Sequence, residues 1–316
     1  MSAATPPRVY GPVPSRRLGR SLGIDLIPFK TCTYDCIYCQ LGRTTTKTTA
    51  PAAGVSCAGV LAELGERLAQ GPAPDYIGVA GSGEPTLHPE LGGLIDGIKS
   101  LTAVPVAVLT NGSLLWQPGV RAALAAADLV LPSLDAGDAA TFTRVNRPHP
   151  DITFARMVEG LIDFAGAYRG EIWLEVFVLR GITDSEAAMA RIAAIAARVR
   201  PVRVQLNTAT RPTAERGARR ASAATLARLC AQFGGGCEVI AEFRGEPAPS
   251  PGGDADPEGA ILALLARRPC TVAGIAAGLG LRPNAVVKAL AGLGARGALR
   301  STRRAGAVYY GRVGNR

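Results

Sequence analysis

The sequence predicts an α/β protein, a six-stranded partial (β/α)6 TIM-like barrel followed by a small, mainly helical C-terminal domain. Three observations carry the prediction. Six short apolar runs rich in β-branched residues alternate with longer stretches of helical spacing, the order expected of a parallel sheet with right-handed crossovers. Most of these runs end in polar or flexible residues, and a β/α barrel gathers its site at those strand ends. A Pro- and Gly-crowded segment without apolar periodicity, Gly245–Pro257, then separates two unlike parts. The expected boundaries are 1–244 for the barrel, 245–257 for the linker and 258–316 for the C-terminal domain.

In chain order, Arg8 to Arg20, with Pro12, Pro14 and several glycines, is expected as an irregular arm carrying Arg16, Arg17 and Arg20, and Ser21–Ile27 as the first strand. Helix Ser56–Gln70 follows, with Val60, Leu61, Leu64 and Leu68 at helical spacing and Ser56 as N-cap. Strand Tyr76–Ala80 ends in the glycine-rich turn Gly81–Thr86. The pattern continues through helix Pro89–Ser100, strand Val104–Leu109 ending at Asn111, helix Gly119–Ala127 and strand Leu129–Leu134 with Ser133 and Asp135 at its end. A helical region, Asp151–Ala167, precedes strand Ile172–Leu179 with Glu175; helix Ser185–Val199 precedes strand Val202–Leu206, which ends at Asn207. Helix Arg219–Phe233 and a last strand, Cys237–Phe243, lead out of the barrel.

Charge is unevenly distributed. The net charge is +10, yet ten basic residues and only one acid, Glu258, fall between Pro257 and Arg316, so that segment alone holds +9. Concentrated positive charge is the footprint of a polyanionic partner. No apolar run reaches the roughly 18 residues of a spanning helix, and Met1–Pro7 lacks the basic and apolar regions of a signal peptide, so a cytoplasmic protein with no membrane partner is expected. In that compartment all seven cysteines are expected as thiols or metal ligands, with Cys57 a packing residue in a first helical turn.

The chemistry concentrates in Cys32-Thr33-Tyr34-Asp35-Cys36-Ile37-Tyr38-Cys39. Three thiolates in one loop can hold three irons of a cubane [4Fe–4S] cluster, leaving one iron open for a ligand. A structural zinc site would need a fourth ligand, and Cys57 and His88 stand at no recognised spacing for it. His88 is expected as a helix-start or structural residue, and Cys230 with Cys237 lack the companions an auxiliary cluster would need. Asn146-Arg147-Pro148-His149 and Asn207–Pro212 each place an Asn and an Arg-Pro pair in a loop, suited to a carboxylate or phosphate.

The cysteine spacing, with Tyr38 before the last cysteine, resembles the radical S-adenosylmethionine superfamily. Ser82-Gly83-Glu84-Pro85 stands where that superfamily has its GGEP motif, with Ser for the first Gly. The resemblance implies that Cys32, Cys36 and Cys39 hold the cluster, that the open iron chelates the methionine part of S-adenosylmethionine, and that Tyr38 and Ser82, Gly83, Glu84 and Pro85 position this cofactor. Asn111, Ser133 and Asp135 are the further cofactor-binding candidates. It implies reductive cleavage of S-adenosylmethionine to a 5′-deoxyadenosyl radical that abstracts a substrate hydrogen, with an electron donor such as flavodoxin or ferredoxin as a partner. The block Tyr10–Gly19 and the cysteine loop are similar to the broad family that includes the wyosine-forming tRNA-guanine enzymes, although no cysteine precedes Cys32 to hold their second cluster. The C-terminal segment, with helices Glu258–Ala266, Thr271–Leu279 and Arg282–Leu293 and strands Gly297–Ser301 and Ala307–Tyr310, resembles a winged-helix domain. Arg282, Asn284, Lys288, Arg300, Arg303 and Arg304 are its candidate contacts to tRNA or DNA. Two other readings remain: radical chemistry on a small molecule or peptide with the winged helix as a dock, and a DNA-binding iron–sulfur redox sensor.

Overall fold

The computed structural model describes residues 7–15, 17–52, 54–241, 257–304 and 306–313. The expected linker, apart from Pro257, lies outside the described residues, as do Arg16 and the end of the expected strand Cys237–Phe243. Eight strands form one sheet: β1 (Val9–Ser15), β2 (Gly19–Ile24), β5 (Tyr76–Val79), β6 (Val106–Thr110), β7 (Leu129–Pro132), β8 (Glu171–Val178), β9 (Arg203–Thr208) and β10 (Cys237–Val239), neighbours in that order. β2 to β10 run parallel and β1 is antiparallel to β2. A two-stranded ladder, β3 (Thr31–Cys32) with β4 (Thr46–Lys47), lies within the connection after β2. The helices α1 (Cys57–Ala69), α2 (Leu91–Leu101), α3 (Pro118–Leu124), α4 (Ala139–Asn146), α5 (Phe154–Ala167), α6 (Glu186–Val199) and α7 (Ala223–Cys230) fill the connections.

The two faces of the sheet follow the two-residue period of a strand. Val106, Val108, Val130, Ile172 and Leu174 face the helices, in one cluster with Leu94, Ile95, Leu161 and Ile192. The opposite set, Ala107, Leu129, Leu131 and Trp173 with Leu18, makes a second apolar cluster. The same face becomes polar toward the strand ends at Ser133, Glu175 and Asn207, which line a cavity of about 400 Å³. Helix starts are set locally: Ser56, Asp138, Thr153, Ser185 and Ser222 each accept a backbone N–H in the first turn of the helix that follows.

Three departures from the sequence expectation have physical causes. The first is β1, in place of an irregular arm. Pro12 and Pro14 are compatible with an edge strand, and its register shifts between Tyr10 and Val13. Tyr10 lies across Gly23, where a Cβ would meet its ring at 2.2 Å. The second is strand number: among the described residues seven parallel strands and one antiparallel strand replace the expected six, because the last strand pairs with β9 instead of leaving the sheet. The third is covalent. Cys230 and Cys237 form a disulfide, their Cα atoms 5.5 Å apart across a seven-residue separation, so they are not the thiols or ligands expected. Cys32, Cys36, Cys39, Cys57 and Cys270 are free.

The C-terminal unit has helices α8 (Pro257–Arg267), α9 (Val272–Leu279) and α10 (Pro283–Ala295) and an antiparallel hairpin of β11 (Leu299–Arg304) and β12 (Ala307–Arg312). Thr271 caps α9, and Gly280, with φ +65°, ends it. The unit has its own core around Ile261, Leu264, Ile275, Val286 and Leu290. It touches the barrel on both sides of the open sheet. The Arg267 guanidinium lies 4.0 Å over the Tyr10 ring of β1. Opposite, Arg304 donates to Thr213 Oγ1 (2.9 Å) and the Ala218 carbonyl (3.1 Å), and Tyr309 donates to the Thr210 carbonyl (2.9 Å). Arg304, expected at a nucleic-acid surface, therefore bonds the barrel. No helix among the described residues is long and apolar enough to cross a membrane.

Candidate metal and cofactor site

The cysteine loop follows β2 and is pinned by backbone bonds on both flanks. Asp35 N and Ile37 N donate to the carbonyls of Asn146 and Val145 (both 3.0 Å), and Thr48 N donates to the Cys32 carbonyl (3.0 Å). An ionic clasp holds its outer side: Arg43 meets Asp35 at 2.6 Å and Glu215 at 2.8 Å, and Arg147 meets Glu215 at 2.8 Å. Arg147 and Arg43 hold the Glu215 carboxyl below its usual range. Arg147, read from the sequence as an anion-binding candidate, is thus engaged in locking the loop.

Each of the three thiols has its own N–H donor. Lys30 Nζ lies 3.3 Å from Cys39 Sγ, Asn111 Nδ2 lies 3.5 Å from Cys32 Sγ and Asn146 Nδ2 lies 3.6 Å from Cys36 Sγ. Burial, followed by the Glu84 charge, pushes the Cys32 thiol up to about 12, and burial, followed by Asp135, pushes Cys36 well above its ordinary value. Without a metal both are protonated at neutral pH. Three soft sulfur ligands in one loop, each facing an N–H donor, fit an iron–sulfur cluster, whose charge would offset the burial that now disfavours the thiolates.

The glycine-rich turn after β5 packs on this loop. Lys30 N donates to the Ser82 carbonyl at 2.7 Å and Glu84 N to the Thr31 carbonyl at 3.1 Å. A Cβ on Gly83 would lie 2.0 Å from that Thr31 oxygen, so only glycine permits the approach. Asp25 accepts from Ser82 N (3.0 Å) and Ser82 Oγ (2.5 Å). The Glu84 carboxylate, 2% exposed, accepts from Thr86 N, Thr86 Oγ1, Thr110 Oγ1 and Asn111 N at 2.6 to 3.1 Å. Ser82 and Glu84 therefore join the turn to the cysteine loop and to the end of β6, and Pro85 is buried beside them. Gly81 and Ala80 are the members of this segment that line the cavity.

Tyr38 lines the same cavity. Its ring stacks on Phe177 with centroids 4.1 Å apart, and its hydroxyl donates to Asp135. Asp135 also accepts from Asn146 Nδ2 (2.8 Å) and Phe177 N (3.0 Å), while burial raises its carboxyl to about 6. Asp135 acts through Tyr38 and Asn146, whereas Ser133 is on the cavity wall. Glu175 is ion-paired with Arg17 and accepts from Asn207 Nδ2 at 2.8 Å. Of the residues expected at the site, the cavity lining includes Tyr38, Cys39, Ser133, Glu175 and Asn207. Sequence reasoning missed Asn146 as a partner of sulfur; Lys30, two residues before Cys32, carried the one local signal. The His88 ring bonds locally: Nε2 lies 3.0 Å from the Val55 carbonyl and Nδ1 accepts from Glu90 N at 3.2 Å. Cys57 lies 4.0 Å from it and is distinct from the three-thiol loop.

The family model of the Radical SAM superfamily matches residues 26–193, which include the three cysteines and the glycine-rich turn. The chain belongs to the radical SAM superfamily. Members of this superfamily use a [4Fe–4S] cluster and S-adenosylmethionine, the group that the three-thiol loop fits. Among curated relatives, a protein named GTPase Obg from Brachyspira hyodysenteriae is 47% identical over 232 residues, 73% of this chain and 34% of that protein. A UPF0026 protein of Methanocaldococcus jannaschii is 37% identical over 209 residues, 66% of this chain and 65% of its own. A UPF0026 protein of Synechocystis is 38% identical over 65% of this chain and 77% of that protein. The chain thus spans about a third of the first relative and just under two thirds of the second. Solved structures share the fold. A radical SAM methyltransferase from Sphaerobacter thermophilus gives a TM-score of 0.53 at 16% identity over 69% of this chain and 65% of its own. SuiB from Streptococcus suis, bound to S-adenosylmethionine, gives 0.51 at 14% over 70% and 50%.

Proposed function

We propose that the protein is a radical S-adenosylmethionine enzyme, with Cys32, Cys36 and Cys39 holding the cluster, and that it modifies RNA. The observation that carries the first part is the triad of thiols, each paired with an N–H donor, beside a cavity of about 400 Å³. That volume is within the range of small-ligand pockets. A cluster held by Cys32, Cys36 and Cys39 would supply one-electron reductive cleavage of bound S-adenosylmethionine and so the means of removing a hydrogen atom from the substrate, with a flavodoxin- or ferredoxin-like protein as the electron donor.

The chain's own residues bind, orient and exclude water. Lys30, Asn111 and Asn146 stabilise negative charge on the sulfurs and fix their directions. Glu84 holds Asn111, and Asp135 holds both Tyr38 and Asn146, so the two buried carboxylates act as positioning groups. Tyr38 offers its ring as a wall for the cofactor, with Ser133 and Asn207 as polar contacts. Leu18, Leu22 and Leu109 keep part of the cavity dry.

The RNA reading is supported by the +9 charge of the C-terminal segment, and we read its three helices and hairpin as a winged helix. The expected result is that anaerobically reconstituted protein, reduced with dithionite, forms 5′-deoxyadenosine severalfold faster when unmodified tRNA is added. An unchanged rate with tRNA, and a faster one with small-molecule fractions of a cell extract, would move the substrate to another class.

A further inference from the structure

Among the described residues, the buried side chains of the Asp, Glu, Lys and Arg types are Asp25, Lys30, Asp35, Glu84 and Asp135. The four acids each have their own donors. Asp25 accepts from Ser82, and Asp35 meets Arg43. Glu84 accepts from Thr86, Thr110 and Asn111, and Asp135 accepts from Tyr38 and Asn146. Lys30 is the one cation of the set, 2% exposed. Its ammonium bonds Cys39 Sγ at 3.3 Å and the Gly42 carbonyl, and no acid among the described residues pairs with it.

A buried charge without a counter-charge is costly, and this one is held in place by the fold. Lys30 has φ +60°, in the left-handed region that a lysine adopts only where its surroundings impose it. Those surroundings are bonds on both sides of the residue. Lys30 N donates to the Ser82 carbonyl at 2.7 Å, and the Lys30 carbonyl accepts from Thr45 N and Thr46 N, both at 3.1 Å. The backbone thus fixes an ammonium against one of the three thiols, with sulfur as its partner in place of a carboxylate. Three thiolates give a cubane cluster a net negative charge, and each electron it accepts adds to that charge. The amides of Asn111 and Asn146 offer the other two sulfurs dipoles, whereas Lys30 offers a full positive charge. The charges of Glu84 and Asp135 act on Cys32 and Cys36 in the opposite sense.

We propose that Lys30 is the built-in counter-ion of the cluster: its buried ammonium balances the negative charge of the loaded loop and favours the reduced state over the oxidised one. Lys30 is then a positioning residue, acting through Cys39, that sets how readily the site accepts its electron. The inference rests on the radical-enzyme reading for the cluster and deepens it by naming the group that tunes it. Two effects of fixed sign follow. Removing the charge makes the cluster harder to reduce, and it relieves the cluster-free protein of an unbalanced buried cation while depriving the loaded protein of an ion pair.

The test uses the full chain, reconstituted anaerobically without S-adenosylmethionine, as wild type, Lys30→Met, Lys30→Gln, Lys30→Arg and Lys47→Met. Lys47 is exposed and pairs across the β3–β4 ladder with Cys32, so it is the control for a nearby cation in water. Iron and acid-labile sulfide per chain are measured first, then the midpoint potential of the cluster by dye-mediated titration. The unfolding midpoint of each protein is recorded with and without cluster. Losing the buried charge predicts about a tenfold or greater loss of affinity for the electron in Lys30→Met and Lys30→Gln, a midpoint potential about 59 mV or more further negative. Lys30→Arg, which keeps the charge, and Lys47→Met, whose field water screens, stay within about threefold of wild type. Cluster loading raises the unfolding midpoint of wild type by more than that of Lys30→Met. A wild-type potential in Lys30→Gln overturns the proposal, since a neutral hydrogen bond then suffices, and so does an equal shift in Lys47→Met. An equal stability loss in cluster-free and loaded Lys30→Met, with the potential unmoved, is the mark of a packing role and also overturns it. If neither neutral variant takes up iron, cluster assembly in Lys30→Arg upholds the counter-ion and failure there overturns it. Equal iron in wild type and Cys36→Ala rejects the cluster assignment itself. A full wild-type cluster with unshifted Lys30 variants rejects the role of Lys30 alone.

Discussion

Cys36→Ala protein, reconstituted with iron and sulfide, is expected to hold little or no cluster iron, while Cys57→Ala protein fills as wild type does. Cys36 is the central ligand of the loop, and its sulfur faces the Asn146 amide that Asp135 holds in place. With it removed, two cysteines remain, and two thiolates at one end of a cubane leave two irons without protein ligands. Loss of a group that merely orients a ligand typically costs about 10- to 100-fold in metal affinity, so loss of the ligand itself should exceed that range. Cys57 lies next to His88 and outside the three-thiol loop, which makes it the matched control for removal of a thiol. Iron and acid-labile sulfide per chain, with the absorbance of the reconstituted protein, are the measurements. Equal iron in both variants would mean that the loop is not the cluster site.

Glu84→Ala is expected to produce the largest loss of stability of any single side chain at the site. The carboxylate is the shared acceptor for four donors, Thr86 N, Thr86 Oγ1, Thr110 Oγ1 and Asn111 N, and all of them surround a group that is 2% exposed. Alanine leaves those donors with no partner at a site too buried for ready hydration. A cost of about 3–5 kcal/mol follows from stranding buried hydrogen-bonding groups and opening a cavity, read as a lowered urea midpoint at unchanged slope. Glu84→Gln keeps one acceptor oxygen and should recover part of it. Burial raises the Glu84 carboxyl above its usual value, with the bonds from Asn111, Thr110 and Thr86 opposing that effect. The substitution also frees Asn111, the donor to Cys32, so the variant should bind iron less completely even where it remains folded.

Local patterns made much of this molecule legible. The cysteine spacing and the glycine-rich turn each lie within eight residues, so the chemistry they imply was on the surface of the sequence, and strand runs such as Leu129–Leu134 and Ile172–Leu179 had period and composition enough to be located. What stayed hidden depends on long-range packing. Nothing local connects Asn146 with Cys36, 110 residues away, or Asp25 with Ser82, 57 residues away. The two prolines of β1 argued against a strand, yet an edge strand with a register shift accommodates them. Helix α4, eight residues with several polar side chains, gave too weak a periodicity to be seen, and its Asp138 cap becomes informative only once the helix is known. The disulfide of Cys230 and Cys237 has no local signature, because a cytoplasmic compartment argues for thiols whereas the intervening turn brings the pair together. The charge of the C-terminal segment suggests an outward-facing surface. In the folded chain, Arg304 bonds the barrel, Arg267 stacks on Tyr10 and Arg268 lines the cavity, so part of that charge faces inward.

The most direct test of the radical-enzyme account is the dithionite-dependent formation of 5′-deoxyadenosine from S-adenosylmethionine by anaerobically reconstituted protein, with wild type and Cys36→Ala run side by side. The account predicts 5′-deoxyadenosine and methionine in equal amounts from wild type, dependent on the reductant, and none above background from Cys36→Ala. Wild-type protein with a full complement of iron and sulfide that yields no 5′-deoxyadenosine would contradict it.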